Sequence, residues 1–433
     1  MLLSILSLAT VAISARDIPH LAYHAWAETP PMGWNSWDCF GTTVTEAQTK
    51  AHADVMAAKL KAFGWSYVVV DIQWFEPKAQ GFNYRPNAEL GMDKWGRLLP
   101  APNRFPAGFK TLGDYIHGKG LKFGIHMLRG IPRQAVREET PIKGTNYTAA
   151  DIADTNSTCP WNGDMYGVDM SKPGAQAYYD SVFEQAAEWG IDFVKVDDLA
   201  RPYYRAEIEA IRRAIDKTGR KIVFSTSPGE TPVVEGEDAA RHANMWRISD
   251  DFWDDWKALK EQFERCRKWS PITGAGHFPD ADMLPLGYIR FGEKTRFTPD
   301  EQQTMMTLWA IFRSPLMLGC DLTKLDDATL KLITNREILS VNQNSYAGYQ
   351  LFNRGDLVAW VASIPRSKDR YVALFNTNDS GAAQKVSLSL SELSMKRAGI
   401  RDLWTNLDLP VTDSEISASL KPHQSALFRV TPK

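Results

Sequence analysis

Cysteine is scarce in this 433-residue chain: there are four, Cys39, Cys159, Cys266 and Cys320, and no two form a C-x-x-C pair. A zinc ribbon or a thioredoxin-like redox motif is thereby unsupported. Charge of one sign is also lacking. Lys and Arg number 50 against 52 Asp and Glu, a formal net charge of -2, so no global pull toward nucleic acid or an anionic membrane surface is expected. No G-x-G-x-x-G follows an early strand, which removes the fingerprint of a dinucleotide site. No two-histidine helical motif or comparable ligand spacing argues for a metal. Beyond its first residues the chain has no run of the roughly 20 apolar residues needed to span a bilayer.

What is present is ordinary globular composition with many rings. Hydrophobic residues make up 44% and charged residues 24%, which with this length predicts two or three domains, or a barrel using most of the chain as one. The 15 Trp and 14 Tyr include ring types that often line sugar sites, although most such rings pack in cores. Residues 1–15, "MLLSILSLATVAISA", read as the apolar region of a secretory signal peptide with a cut near Ser14 or Ala15. The expected location is secreted or periplasmic. Export permits disulfides, and the pairing of the four cysteines is left open. The sequons at Asn146, Asn156 and Asn378 matter in a glycosylating host.

From about residue 30 to 330, short apolar runs alternate with helical patterns. "SYVVVD", "KFGIH", "FVKVD", "KIVFS", "MWRIS" and "SPLMLG" each follow such a segment. Their near-continuous apolarity is that of parallel strands covered on both faces. With "PMGWNS" and a strand near Pro271–Gly276 the count reaches about eight, which favours a (β/α)8 barrel over a doubly wound sheet. From about residue 345 the pattern changes. "GDLVAWVASIP", "DRYVALFNTND", "AQKVSLSLSEL" and "QSALFRVTP" alternate and end in turn residues, as in a small antiparallel β-domain. The expected domains are 29–335 for the barrel and 345–433 for a C-terminal antiparallel β-sandwich.

Functional residues of a parallel barrel gather at the C-terminal strand ends. Asp71, His126, Asp197 and Asp251 stand at or near such ends. One acid could be a helix cap; several on separate strands predict a carboxylate-lined pocket. In "FVKVDD", Lys195 and Asp197 are two apart and share a side of the strand, whereas Val194, Val196 and Asp198 take the other. With the valines toward the helices, Lys195 and Asp197 face the barrel axis, and the lysine favours the ionised acid. That pair fits a covalent nucleophile, and it equally fits a buried ion pair that orders the barrel. "WRISDDFWDDW" offers Arg247 with neighbouring acids, and "FPDADMLPLG" places Asp282 and Met283 in a loop. Two carboxylates across a pocket suit glycoside hydrolysis.

Taken together, "TPPMGWNSWDCFG", "YVVVDIQW", "GLKFGIH", "EWGIDFVKVDD", "WRISDD", "DADMLPLG", "LWAIFRSPLMLGCDL" and the terminal "HQSALFRV" resemble glycoside hydrolase family 27, the melibiase or α-galactosidase family. The similarity covers nearly the whole chain after residue 28. It implies the barrel and β-domain named above, and a retaining double displacement with no metal and no cofactor. It makes Asp197 the nucleophile, with Lys195 on the sugar. It makes Asp251 the acid/base, four after Arg247, with the adjacent Asp250 as alternative. It also implies Trp34 as the pocket-floor tryptophan, Asp71 as a carboxylate for sugar hydroxyls, and Asp282 and Met283 as completing the pocket.

The sequence departs from that pattern at three places. Where the family has Asp-Asp-Cys after the second strand, this chain has Asp71-Ile72-Gln73, and Ile72 cannot hydrogen-bond the 6-hydroxyl of galactose. Leu199 stands where the family has a cysteine after the nucleophile, and "HMLRGIPRQAV" is unlike the family's aspartate-bearing loop. His126 and Arg129 either line the pocket or order that loop, and Trp161 is either an aromatic wall or loop packing. The leading expectation is release of terminal α-D-galactose. The alternative is β-L-arabinopyranose, which is galactose without the hydroxymethyl group. A catalytically inactive carbohydrate-binding barrel is the remaining reading. The expected partners are terminal galactosides or arabinopyranosides of oligo- or polysaccharides, with neither nucleic acid nor membrane.

Overall fold

The computed structural model of the protein describes residues 18–433; the signal-peptide expectation falls outside them. Eight short strands form one parallel sheet: β1 (Met32–Asn35), β2 (Tyr67–Val70), β3 (Lys122–Leu128), β4 (Phe193–Asp197), β5 (Val223–Thr226), β6 (Met245–Arg247), β7 (Phe278–Asp280) and β8 (Leu316–Leu318). Their spatial order is the chain order, with β8 beside β1. Closure between β7 and β8 is made just past β7. Leu284 N donates to Met317 O at 2.8 Å, and Gly319 N donates to Leu284 O at 3.1 Å.

The seventh strand lies further along than the sequence reading put it. Ser270–Ile272 is a single 3-10 turn with Pro271 in its first positions. A proline cannot donate to a ladder, and pairing with β6 begins at Phe278 against Met245.

Alternation separates two cores. Val68 and Val70 of β2, Val194 and Val196 of β4, and Trp34 of β1 join the large cluster between strands and helices. Tyr67, Val69, Phe193, Val223, Met245 and Met317 fill the barrel's own interior. Gly33 of β1 sits where a Cβ would lie 2.6 Å from Tyr67, so the interior tolerates no side chain there. The outer helices are capped by the residues that open them. Thr45 and Gln48 form a capping box on Glu46–Val55. Thr298 and Glu301 do so on Pro299–Phe312, with Pro299 in the first turn.

The helix Arg336–Asn344 falls between the two expected domain ranges. Asn342 Nδ2 donates to Trp309 O and Ser314 O at 3.2 and 2.8 Å, which ties it to the barrel. The C-terminal domain is a sandwich of a six-stranded and a two-stranded antiparallel sheet. Val358, Trp360 and Ala362 face the barrel, while Ala359 and Val361 face the inter-sheet core. At the domain contact, Trp256 stacks on His423 at 3.7 Å, and His423 Nδ1 bonds Glu301 Oε1 at 2.8 Å. Strands Tyr346–Arg354, Ala398–Asp402, Leu407–Thr412 and Glu415–Leu420 were not singled out in the sequence. Leu407–Thr412 has five exposed residues of its six, so it shows little of the burial that alternation reports.

Candidate active site

The C-terminal ends of the strands open into a pocket of about 520 Å³. Its charged floor and sides are Asp71, Lys195, Asp197, Asp198 and Asp251. Its apolar wall is Trp37, Ile72, Phe82, Tyr84 and Trp161, and Arg201 and Asp250 stand at its rim. Such a volume accepts a monosaccharide and part of a second group.

The pocket's centre is built on β4. Alternation aims Lys195 and Asp197 inward, as Phe193 is. Lys195 Nζ donates to Asp71 Oδ2 at 3.1 Å, and Asn35 Nδ2 donates to the same oxygen at 2.7 Å. His126, fully buried on β3, lies 2.7 Å through Nε2 from Asp197 Oδ2. The other oxygen, Asp197 Oδ1, has no hydrogen-bond partner among the described residues. Burial by itself would raise the Asp197 carboxyl. The Lys195 ammonium and the His126 ring outweigh burial and hold it well below the usual carboxylate range. Asp71 is likewise lowered: burial opposes, and Lys195, His126 and Asn35 prevail. An ionised carboxylate only accepts, so His126 Nε2 carries the proton it shares with Asp197.

The second group surrounds Arg247, the buried last residue of β6. Its Nη2 lies 2.7 Å from Asp282 Oδ2 and 3.3 Å from Asp251 Oδ1. The Asp251 side chain is 53% exposed and faces the pocket mouth. Asp250 is 69% exposed and ion-pairs with Arg201 at the rim. Of the two neighbouring acids, Asp251 is thus the one attached to the buried arginine. Beneath them, burial raises Asp282 despite Arg247. Asp280 is pushed up to about 7 by burial and by the Asp282 carboxylate.

Of the expected pocket residues, Trp34 and Met283 lie elsewhere, and His126, Arg247 and Asp282 are buried behind the lining. Trp34 is fully buried on the helix-facing side of β1, where it stacks on His52 at 4.2 Å and donates Nε1–H to Cys320 O. The pocket tryptophan on this segment is Trp37, past the strand end. Met283 is buried in the barrel interior with Met245 and Met317 and does not line the pocket. His126 acts on Asp197 from below and is not a lining residue, whereas Trp161 is one.

Asp198, whose φ is 66°, has left the strand geometry. Its Oδ2 accepts from Arg129 Nη2 at 2.7 Å, and Arg129 Nη1 also reaches Glu207 at 2.8 Å. Arg129 therefore orders the loop after β3. Within that loop Ile131–Pro132, Ala153–Thr158 and Met165–Val168 form a small antiparallel sheet that carries Trp161.

Sequence reasoning missed Trp37, Phe82, Tyr84 and Arg201. Phe82 and Tyr84 sit in the long connection of residues 71–107, and a connection of that length was itself a signal. The four cysteines are free and buried. Among the described residues no helix is long and apolar enough to cross a membrane.

The family model described as "Alpha galactosidase A" matches residues 29–170 and 161–344. That of the "Alpha galactosidase C-terminal beta sandwich domain" matches residues 354–430. The α-galactosidase of Cyamopsis tetragonoloba is 28% identical over 424 residues, 96% of this chain and 89% of that protein. Human α-galactosidase A is 26% identical, covering 90% of this chain and 84% of its own. Among solved structures, a family 27 β-L-arabinopyranosidase from Geobacillus stearothermophilus, in complex with arabinose, superposes with a TM-score of 0.93. It is 52% identical, over 96% of this chain and 100% of that one.

Proposed function

The chain belongs to glycoside hydrolase family 27, and on that premise we propose that it is a retaining, exo-acting glycosidase that releases terminal β-L-arabinopyranose. The observation that carries the choice of sugar is the apolar wall around Ile72. Ile72, Leu128 and Met165 form one buried cluster, with Trp37, Tyr84 and Trp161 packed against it. A galactose hydroxymethyl group turned to this wall would bury its hydroxyl without a partner from Ile72. Such an unpaired group costs about 1–3 kcal/mol, or roughly 5- to 150-fold in kcat/KM. Arabinopyranose has no such group. The 52%-identical arabinopyranosidase supports the same reading.

In the proposed reaction, the Asp197 carboxylate attacks the anomeric carbon while the Asp251 carboxyl gives its proton to the glycosidic oxygen. The bond to the aglycone breaks, the aglycone leaves as an alcohol, and the sugar is held as an ester of Asp197. Asp251, now a carboxylate, takes a proton from water as the water oxygen attacks the same carbon. The ester bond breaks and its electron pair returns to Asp197. Two inversions give net retention. Lys195 and His126 support the step by keeping Asp197 ionised. Lys195 and Asp71, which line the pocket, supply a donor and an acceptor for sugar hydroxyls, and Arg247 holds Asp251 from behind.

The test is kcat/KM on aryl β-L-arabinopyranoside and aryl α-D-galactopyranoside. A preference of about tenfold or more for the arabinoside is expected, with turnover abolished in Asp197→Ala. A preference for the galactoside would refute the choice of sugar, and full activity in Asp197→Ala would refute the nucleophile. The second reading, an α-D-galactosidase like the curated relatives, needs a polar atom near Ile72. Tyr84, which lines the pocket and carries a hydroxyl, is the observation in its favour. The apolar leader at residues 1–15 supports export of the enzyme, and an extracytoplasmic enzyme meets oligo- or polysaccharide as substrate.

A further inference from the structure

We propose that Tyr84 is a second specificity-determining residue, its ring filling the space beside Ile72 that a hydroxymethyl group on the sugar would need. The inference rests on the arabinopyranoside reading of the pocket and adds to Ile72 a second wall residue from the same 71–107 connection.

The connection holds Tyr84 firmly. Gly81 O accepts from Thr42 N at 2.7 Å and from Thr42 Oγ1 at 2.8 Å. Asn83 N donates back to Gln80 O at 3.1 Å, and Arg85 pairs with the buried Glu76 at 3.0 Å. Tyr84 is therefore pinned on both sides in sequence. Its ring lies 6.2 Å from Trp37, nearly parallel at 11°, and 5.6 Å from Trp161. These contacts are apolar, ring against ring and against the Ile72 cluster. The position of the ring is thus set by packing, which is how a side chain acts when its role is to occupy volume.

The ring also belongs to the reacting end of the pocket. Burial, and then the charges of Asp197, Asp71 and Asp251, oppose ionisation of its hydroxyl. Those are the groups that surround the sugar in the proposed reaction. A larger sugar would press on a wall whose two halves, Ile72 and Tyr84, lie twelve positions apart in one connection. Crowding of this kind is worth about tenfold or more in rate.

The experiment measures kcat/KM on both aryl glycosides for wild type, Tyr84→Ala, Tyr84→Leu and Tyr84→Phe, with thermal unfolding of each. Tyr84→Ala is expected to lower the arabinoside-to-galactoside ratio about tenfold or more, chiefly by raising turnover of the galactoside. Tyr84→Phe keeps the ring and is expected to keep the ratio within about twofold, whatever it does to both rates together. If Tyr84→Ala does not fold, Tyr84→Leu, which still covers Trp37, reads the same fall. An unchanged ratio in a folded ring-removing variant overturns the inference. So does selective loss of galactoside turnover in Tyr84→Phe, since the hydroxyl would then bind the larger sugar. The wild-type ratio alone tests the proposed sugar. A wild type that prefers galactoside, with the ratio still falling in Tyr84→Ala, overturns that reading and supports the role of the ring.

Discussion

Replacing His126 by Phe removes the N–H that meets Asp197 Oδ2 at 2.7 Å and leaves a ring of similar size in a fully buried site. A hydrogen bond to a charged group contributes about 1.5–3 kcal/mol, which corresponds to about 1–2 pKa units at 1.36 kcal/mol each. The direction follows from the charge. The bond stabilises the carboxylate, so its loss raises the Asp197 pKa from its depressed folded value. The acid limb of kcat/KM, on which protonated Asp197 cannot attack, then moves up by about 1–2 pH units. The two half-reactions respond differently. Attack consumes the carboxylate charge, and breakdown of the ester regenerates it. Loss of the donor therefore slows breakdown, by about tenfold or more, and a pre-steady-state burst of released aglycone appears. His126→Gln can present an amide N–H to the same oxygen and restores part of both effects. The assay is a pH profile with stopped-flow release of nitrophenol. An acid limb that does not move in His126→Phe, with rates within about twofold of wild type, refutes the assignment of His126 as the positioning donor.

Asp251→Ala is expected to lose turnover of substrates with poor leaving groups by about 100-fold or more, while Asp250→Ala, which breaks a rim pair with Arg201, keeps it; the reverse would exchange their roles. Arg129→Ala leaves Asp198 and Glu207 buried without their cation and is expected to cost about 3–5 kcal/mol of stability, read by denaturant unfolding; a loss under about 1 kcal/mol would refute it. Asp280 is an acid whose folded pKa of about 7 lies above its ordinary 3.8. The folded state thus keeps a proton that the unfolded chain has released, and stability falls as pH rises from about 4 to 7, by up to about 4 kcal/mol. In Asp280→Asn that slope is reduced when Tm is followed from pH 5 to 8, and a slope equal to wild type contradicts the buried, raised carboxyl.

The barrel was legible because its strands are covered on both faces, so each shows as an apolar run whatever its partners. The inward pair Lys195 and Asp197 was legible for a related reason: period-two alternation holds inside a strand, and Phe193 through Asp197 is one. The same rule stops working where the strand stops. Asp198 lies one residue beyond, with a left-handed backbone, and its partner Arg129 comes from the end of another strand. Trp34 and Trp37 show the limit from the other side. Both belong to one short motif, yet β1 ends at Asn35, so Trp34 obeys the strand and points to the helices while Trp37 follows the turn into the pocket. Tyr84 had no local pattern at all. Its place depends on bonds from Thr42 and rings of Trp37 and Trp161, contacts distant in sequence that no periodicity encodes.

Charge balance explains why the site contains more acids than the reaction uses. Asp71, Asp197, Asp251, Asp280 and Asp282 gather around the cations Lys195 and Arg247. The pocket floor cannot hold every one of these acids ionised, because burial penalises each uncompensated charge. Geometry decides which acids yield. Lys195 stands between Asp71 and Asp197 and lowers both. Arg247 is shared between Asp251 and Asp282, and Asp280 lies behind Asp282 with its Oδ1 accepting Asp282 N–H at 2.9 Å. Protonation is therefore favoured at the Arg247 end, where Asp280 and Asp282 are both raised, while the Lys195 end stays anionic. The placement of two cations among these acids thus polarises the pocket, with the nucleophile's end kept ionised. Moving either cation, for example by Lys195→Met, should raise Asp197 and stall attack without changing the fold. Retained turnover in Lys195→Met with an unshifted acid limb would show that the polarity comes from elsewhere.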